Sequence, residues 1–333
     1  MLWARHVIPV IDRRPERVGH GRYSRSDPEE DQLTDEGQTL VVITDIADLL
    51  HRHWGFVAAD VRPLGGGMNS ETWLVTHAGA TYVAKRVAPS DLPQLAAGCD
   101  IAARLAEAGL VTGAPVLTQD GRLVVADHAL ALLEFVPGRE LDGRPDEEQR
   151  WIAHTLSGVH SLGGPASELG TGTFFEWLTP DATGVDAYPW LAAAISAVRA
   201  EADPLNVTWS TLHTDPAPEA FRHDDASDIT GLIDWTGAQR GPVMYDIASV
   251  VMYLGGPGSA TPFLGTYRTL GPLGSKEFAH LDTFRRFRWA VQAAYFAGRL
   301  ASNNLTGITD QTDNHHGFND ARLGLAELGV EVI

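Results

Sequence analysis

Lysine is almost missing from this chain: of its 25 basic residues, all but Lys85 and Lys276 are arginine. A flexible ammonium and a planar guanidinium are not chemically interchangeable. Lys85 is therefore a position to follow. Cysteine is scarcer still, and Cys99 alone excludes an internal disulfide and a multi-cysteine zinc site. Positive charge is also short, with 43 acidic residues giving a formal net charge of −18. That balance leaves no basic excess to neutralise phosphates, which argues against a nucleic-acid partner. It suits solubility or a cationic small substrate. No apolar run reaches membrane-spanning length and no signal-peptide pattern opens the chain, so the reading is a cytoplasmic protein without a membrane partner. The sequence sets no oligomeric state.

With 333 residues, 44% of them hydrophobic, the chain can bury a large core, and two lobes are expected. Residues 1–40 are charged, Pro-bearing and poor in aliphatics, and read as a mobile N-terminal extension. A helix is expected from Thr44 to Trp54, where Ile46, Leu49 and Leu50 share one side. Next come Gly65-Gly66-Gly67-Met68-Asn69-Ser70, followed at once by the strand-like Glu71-Thr72-Trp73-Leu74-Val75. A dinucleotide-binding turn must open a helix. This one leads into a strand, which favours a glycine hairpin whose amides can close over phosphates.

The strand from Ala80 to Val87 follows. Its alternation turns Val83, Lys85 and Val87 to one face and Tyr82, Ala84 and Arg86 to the other. An inward lysine needs an anion, either a carboxylate or a phosphate. On the helix expected between Pro93 and Ala108, Asp100 is the preferred carboxylate and Glu107 the second. Two more strands, Leu123–Ala126 and Ala129–Phe135, complete a small α+β lobe spanning 41–138. Beyond Pro145 the chain, lobe 139–333, reads as mostly helical. His154 and His160 on its first helix read as packing or surface residues.

The densest chemistry lies between Leu212 and Asp246. Strands Val207–Leu212 and Ile229–Ile233 each end close to an aspartate, Asp215 and Asp234. If the strands are neighbours, the two carboxylates converge and suit Mg²⁺ carrying a substrate phosphate. The alternative is a pair of ordinary turn aspartates.

The glycine hairpin, Val83-Ala84-Lys85, His213-Thr214-Asp215, Ile233-Asp234-Trp235 and Tyr245-Asp246-Ile247-Ala248 occur in an order and spacing that resembles the aminoglycoside phosphotransferase, choline kinase and homoserine kinase superfamily. The resemblance covers roughly Val57 to Leu328. It implies an α+β, protein-kinase-like bilobal fold with a small β-rich N-lobe and a larger, mostly helical C-lobe. It also implies ATP and Mg²⁺ as cofactors and a small-molecule hydroxyl as acceptor. Asp215 becomes the catalytic base and His213 its brace. Asp234 holds the metal and Lys85 the α- and β-phosphates. Gly65, Gly66, Gly67, Asn69 and Ser70 cover the phosphates, while Glu134 to Val136 offer backbone groups to the adenine. Asp246 accepts hydrogen bonds that fix the catalytic loop.

One departure stands out. Where the family pattern has a metal-binding Asn, this chain has Ala220, and Thr214 replaces a glycine. Glu219, one position earlier, either supplies the missing metal ligand or faces solvent. The leading expectation is ATP-dependent transfer to a small-molecule hydroxyl. The alternatives are a pseudokinase that binds nucleotide or a partner, and a nucleotidyltransferase. The acceptor is expected over Asp215, walled by residues 170–189 and the helix bearing Trp289, Gln292 and Tyr295. Trp177, Tyr188 and Trp190 are further candidate walls.

Overall fold

The computed structural model describes residues 45–65, 67–163 and 174–333. The N-terminal extension, Gly66 and the beginning of the 170–189 segment lie outside the described residues.

The N-terminal part is a four-stranded antiparallel sheet in the order β1 (Asp60–Pro63), β2 (Ser70–His77), β3 (Ala80–Val87), β4 (Leu130–Glu134). A two-residue turn joins β2 to β3, with Ala78 at φ 48° and Gly79 at φ 82°. Two left-handed residues match the twist of the strands they connect. Helix α1 (45–54) lays Ile46, Leu49, Leu50 and Trp54 on one face of the sheet, against Trp73, Val75, Ala84 and Leu132. Helix α2 (Leu92–Glu107) covers the other, bringing Leu95 and Cys99 onto Val87 and Ala131. The alternation expected for β3 therefore holds. Ala84 faces α1, while Lys85 points towards α2.

Leu123–Ala126 is not a strand. Residues Ala126–His128 form a short 3-10 turn ending at Ala129 with φ 46°, and only Val125 keeps a bridge, to Leu130. The Asp127-His128 pair folds the chain back too tightly for a second ladder.

The C-lobe is built on α3 (Asp146–Leu162), α4 (Pro189–Ala202), α5 (Val243–Tyr253), α6 (Thr261–Leu270), α7 (Leu281–Ala301) and α8 (Thr312–Glu327). It also carries short strands: β5 (Arg139–Glu140), β6 (Trp209–Leu212), β7 (Phe221–Asp224), β8 (Ile229–Leu232) and β9 (Gln239–Pro242). Strand β6 pairs with β9, whereas β8 pairs with β7, which pairs with β5. The two aspartate-bearing strands are thus not neighbours, contrary to the condition set from the sequence. Each belongs to its own hairpin, and the loops beyond them come together instead. Helix α5 is buried from Val243 to Met252, and its Tyr245 packs with Phe174 and Phe287 at ring separations of 5.1 and 5.9 Å. No helix among the described residues is long and apolar enough to cross a membrane.

Candidate active site

Strand β6 delivers the chain into His213-Thr214-Asp215, and Asp246 near the start of α5 fixes that loop. Asp246 is fully buried. It accepts hydrogen bonds from the backbone N–H groups of His213 at 2.8 Å and Thr214 at 2.9 Å. His160 on α3 sits 3.1 Å from the same carboxylate through Nε2 and 2.6 Å from the Tyr267 hydroxyl through Nδ1. It is a packing residue, as expected, but one that orients the loop's anchor. Thr214 adopts φ 72°, where the family pattern has glycine. A non-glycine residue there costs about 1 kcal/mol. The Asp246 bond and a 2.9 Å bond from Thr214 Oγ1 to the Gly237 carbonyl offset that cost. His213 Nε2 donates to the Ile233 carbonyl at 2.9 Å, so the imidazole ties the His213–Asp215 loop to the residue before Asp234.

Asp215 is buried and its two oxygens differ. Oδ1 accepts from the Tyr253 hydroxyl and from Arg288 Nη2, the latter at 2.9 Å. Oδ2 is buried and accepts no hydrogen bond among the described residues. Burial, reinforced by the Asp215 charge, pushes the Tyr253 phenol well above its ordinary range. It therefore remains a donor. Neither partner was found from the sequence. The available signal was the position of Arg288, which falls with Phe284, Phe287 and Val291 on the buried stripe of α7.

Lys85, 7% exposed, donates to Asp234 Oδ1. Burial alone would raise the Asp234 carboxyl, but the Lys85 ammonium outweighs it and holds that group well below the usual carboxylate range. The α2 carboxylates play no such part. Asp100 and Glu107 are exposed, and Asp100 instead pairs with Arg104 one turn along at 2.8 Å. The side of α2 facing the sheet carries Cys99, whose thiol burial pushes up to about 12. Neighbouring Gly98 lies so close to the Trp235 carbonyl that a Cβ would collide with it. That approach seats α2 on the turn following Asp234, and Asp234 itself is left-handed at φ 71°.

Glu219 is partly buried, and its carboxyl is pushed up to about 7 by burial, with the charges of Asp215 and Glu140 adding to the effect. Of the two readings left open by the sequence, neither is decided by this half-buried position. Ala220 beside it is fully buried, its carbonyl accepting the Ile233 N–H at 3.0 Å.

The glycine hairpin reaches across to the C-lobe. Asn69 Oδ1 accepts from the Tyr295 hydroxyl at 2.9 Å, and Arg299 donates to the Met68 carbonyl at 2.9 Å. Met68 itself is 2% exposed, packed with Met252 and Phe296. The Asn69 side chain is thus turned to the C-lobe in this structure. Gly65, Gly67 and Ser70 complete the described hairpin, Gly67 at φ 103°. In the interlobe linker, the Glu134 N–H is already used by the Ala114 carbonyl at 2.9 Å, and the Val136 side chain is buried. The proposed acceptor aromatics mostly pack: Tyr188 and Trp190 on Phe318, and Trp177 beside Phe174 and Tyr245. Gln292 is bonded to the Gly317 carbonyl at 3.2 Å.

Solved structures share this fold. The amicoumacin kinase hAmiN, solved with AMP-PNP, Ca²⁺ and Ami, aligns at TM-score 0.66 and 14% identity, over 90% of this chain and 96% of that one. The choline kinase LicA from Streptococcus pneumoniae aligns at 0.63 and 17%, over 87% and 99%. The Plasmodium vivax ethanolamine kinase aligns at 0.63 and 13%, over 89% of each. At these identities the likeness shows the fold, a small antiparallel N-lobe on a helical C-lobe. No curated protein matches by sequence. The family model described as "Phosphotransferase enzyme family" matches residues 60–287, well over half of the chain, and the protein belongs to that family.

Proposed function

We propose that the protein transfers the γ-phosphoryl group of ATP to a hydroxyl of a small molecule, with the nucleotide bound between lobes 41–138 and 139–333. The observation that carries this reading is Asp215. One of its oxygens is tied down and the other is buried and unbonded, in a loop that His213 links to the Asp234 turn. In the reaction the acceptor oxygen bonds to the γ-phosphorus while the bond to the β–γ bridging oxygen breaks, its electron pair leaving with ADP. The hydroxyl proton passes to Asp215 Oδ2. Such transfer asks mainly for positioning and charge neutralisation.

Lys85 and Asp234 form an ion pair with each other. With nucleotide bound, Lys85 would turn to the α- and β-phosphates and Asp234 to the metal. The donor set fits Mg²⁺, which is bound through one or two carboxylates plus substrate phosphates. Asp234 would supply one such carboxylate and Glu219 is the candidate for a second, and the bound ion would neutralise the β- and γ-phosphate oxygens. A carboxylate at 219 does what the side chain of Ala220 cannot. Gly65, Gly66, Gly67 and Ser70 would close over the phosphates, and Glu134 to Val136 would offer backbone groups to the adenine. An ammonium and three carboxylates placed this way support transfer over a non-catalytic binding module. ATP supply makes the cytoplasm the natural compartment.

Radiolabelled γ-phosphate transfer from Mg·ATP to a panel of aminoglycosides, sugars and amino alcohols tests the reading. A labelled acceptor is expected, with the rate falling at least about 100-fold in Asp215→Asn. Nucleotide binding without transfer to any hydroxyl would favour the non-catalytic alternative.

A further inference from the structure

We propose that Arg288 and Tyr253 are positioning residues for the transfer, clamping one oxygen of Asp215 so that the other meets the acceptor hydroxyl; this rests on the kinase reading above. A carboxylate has two equivalent oxygens, and rotation about its last bond exchanges them. Here the equivalence is broken. Arg288 Nη2 bonds Asp215 Oδ1 at 2.9 Å and the Tyr253 hydroxyl oxygen at 3.1 Å. The hydroxyl must then give its single proton to Asp215, as it does.

The guanidinium is itself held at a second edge, where Nε donates to Ser249 Oγ at 3.0 Å. Ser249 in turn donates to the Tyr245 carbonyl at 2.9 Å, one turn back on α5. The clamp is therefore anchored in two helices, α5 and α7, that pack together through the lobe's core. Arg288 is 1% exposed. An apolar residue could fill its place on the α7 stripe without the desolvation cost of a buried charge. What the arginine provides instead is a fixed bond direction and a positive charge behind the base. That charge offsets the repulsion between Asp215 and an incoming polyphosphate. With Oδ1 taken, Oδ2 is the oxygen that accepts the hydroxyl proton.

The test uses the full-length protein with Mg·ATP and no added acceptor, so that water takes the hydroxyl's place and ADP release is measured. Tyr253→Phe, Arg288→Lys and Arg288→Gln are each made alone and combined with Asp215→Asn. Arg288→Gln should lower kcat about 100-fold and Tyr253→Phe about 10-fold, since loss of alignment at the reacting atoms has effects of this order. KM for ATP should stay within about twofold, because neither group is assigned to the nucleotide. Arg288→Lys should recover part of the rate. In the Asp215→Asn background neither change should cost anything further, the mark of residues acting through one another.

Equal losses in both backgrounds, a change in KM alone, or wild-type kcat in Tyr253→Phe would overturn the assignment. Should Arg288→Gln fail to fold, Tyr253→Phe, which removes one hydroxyl, decides. A wild-type protein that binds Mg·ATP in calorimetry but turns it over neither with water nor with any hydroxyl of the acceptor panel removes the kinase reading itself, and this inference with it.

Discussion

Glu219 holds its proton to higher pH in the folded protein than in the unfolded chain, because burial and the charges of Asp215 and Glu140 disfavour its ionised form. Its contribution to stability is therefore fully present below about pH 4.5. It is lost as the pH rises towards about 7, and constant above that. The cost at high pH is at most about 3 kcal/mol. Glu219→Gln should be as stable as the parent at pH 4.5 and more stable at pH 8, by urea denaturation of metal-free protein. Equal stability at both values would show that Glu219 reaches solvent. Single residues were the most legible level of this molecule. Lys85 was singled out by composition and Asp215 and Asp234 by motif; the structure pairs Lys85 with Asp234 and ties the loop before Asp215 to the residue preceding Asp234. Asp100 was misassigned because strand alternation gives the face of Lys85 but not the phase of the helix across from it. Arg288 and Tyr253 were missed because three nearby arginines look alike in sequence. Only its spacing with Phe284, Phe287 and Val291 marks Arg288 as the one that turns inward.

Helix α2 and the turn after Asp234 meet where Gly98 allows the two backbones to touch. A side chain at that position would have to push backbone, not a flexible neighbour. Gly98→Ala should therefore cost about 2 kcal/mol of stability, read as a lower urea midpoint, and should loosen the Lys85–Asp234 pair. Unchanged stability would mean that α2 can slide, and that its seating does not place the pair. Glycine at this position carried no sequence signal, since an isolated glycine in a helical pattern is tolerated. Elements with long periodic patterns were legible: α1, α2 and β3 fall close to their expected limits. Strands β7 and β9, four residues each, were not. Phe221-Arg222-His223-Asp224 and Gln239-Arg240-Gly241-Pro242 have too little apolar alternation to reveal themselves. They are the partners that separate β8 from β6, so the way Asp215 and Asp234 are brought together could not be read from the strands alone.

At the scale of the whole molecule, several contacts among the described residues join the lobes. Lys85 reaches Asp234, α2 lies on the Trp235 turn, and the glycine hairpin is held to α7 by Tyr295 and Arg299. The bilobal architecture was legible because its motifs are spread along the chain in a fixed order. The hairpin's attachment to α7 was not, because it joins residues more than 220 positions apart. With a net charge of −18, a polyanionic nucleotide can dock only where positive charge has been concentrated. Lys85 and a metal on Asp234 are that concentration in this account. Calorimetry with ATP alone and ATP with Mg²⁺, on the parent, Lys85→Ala and Asp234→Asn proteins, tests this most directly. Binding to the parent should strengthen at least about tenfold with Mg²⁺. Asp234→Asn should lose this metal effect, and Lys85→Ala should weaken binding with or without metal. Binding indifferent to Mg²⁺, or unaltered by Asp234→Asn, would contradict it.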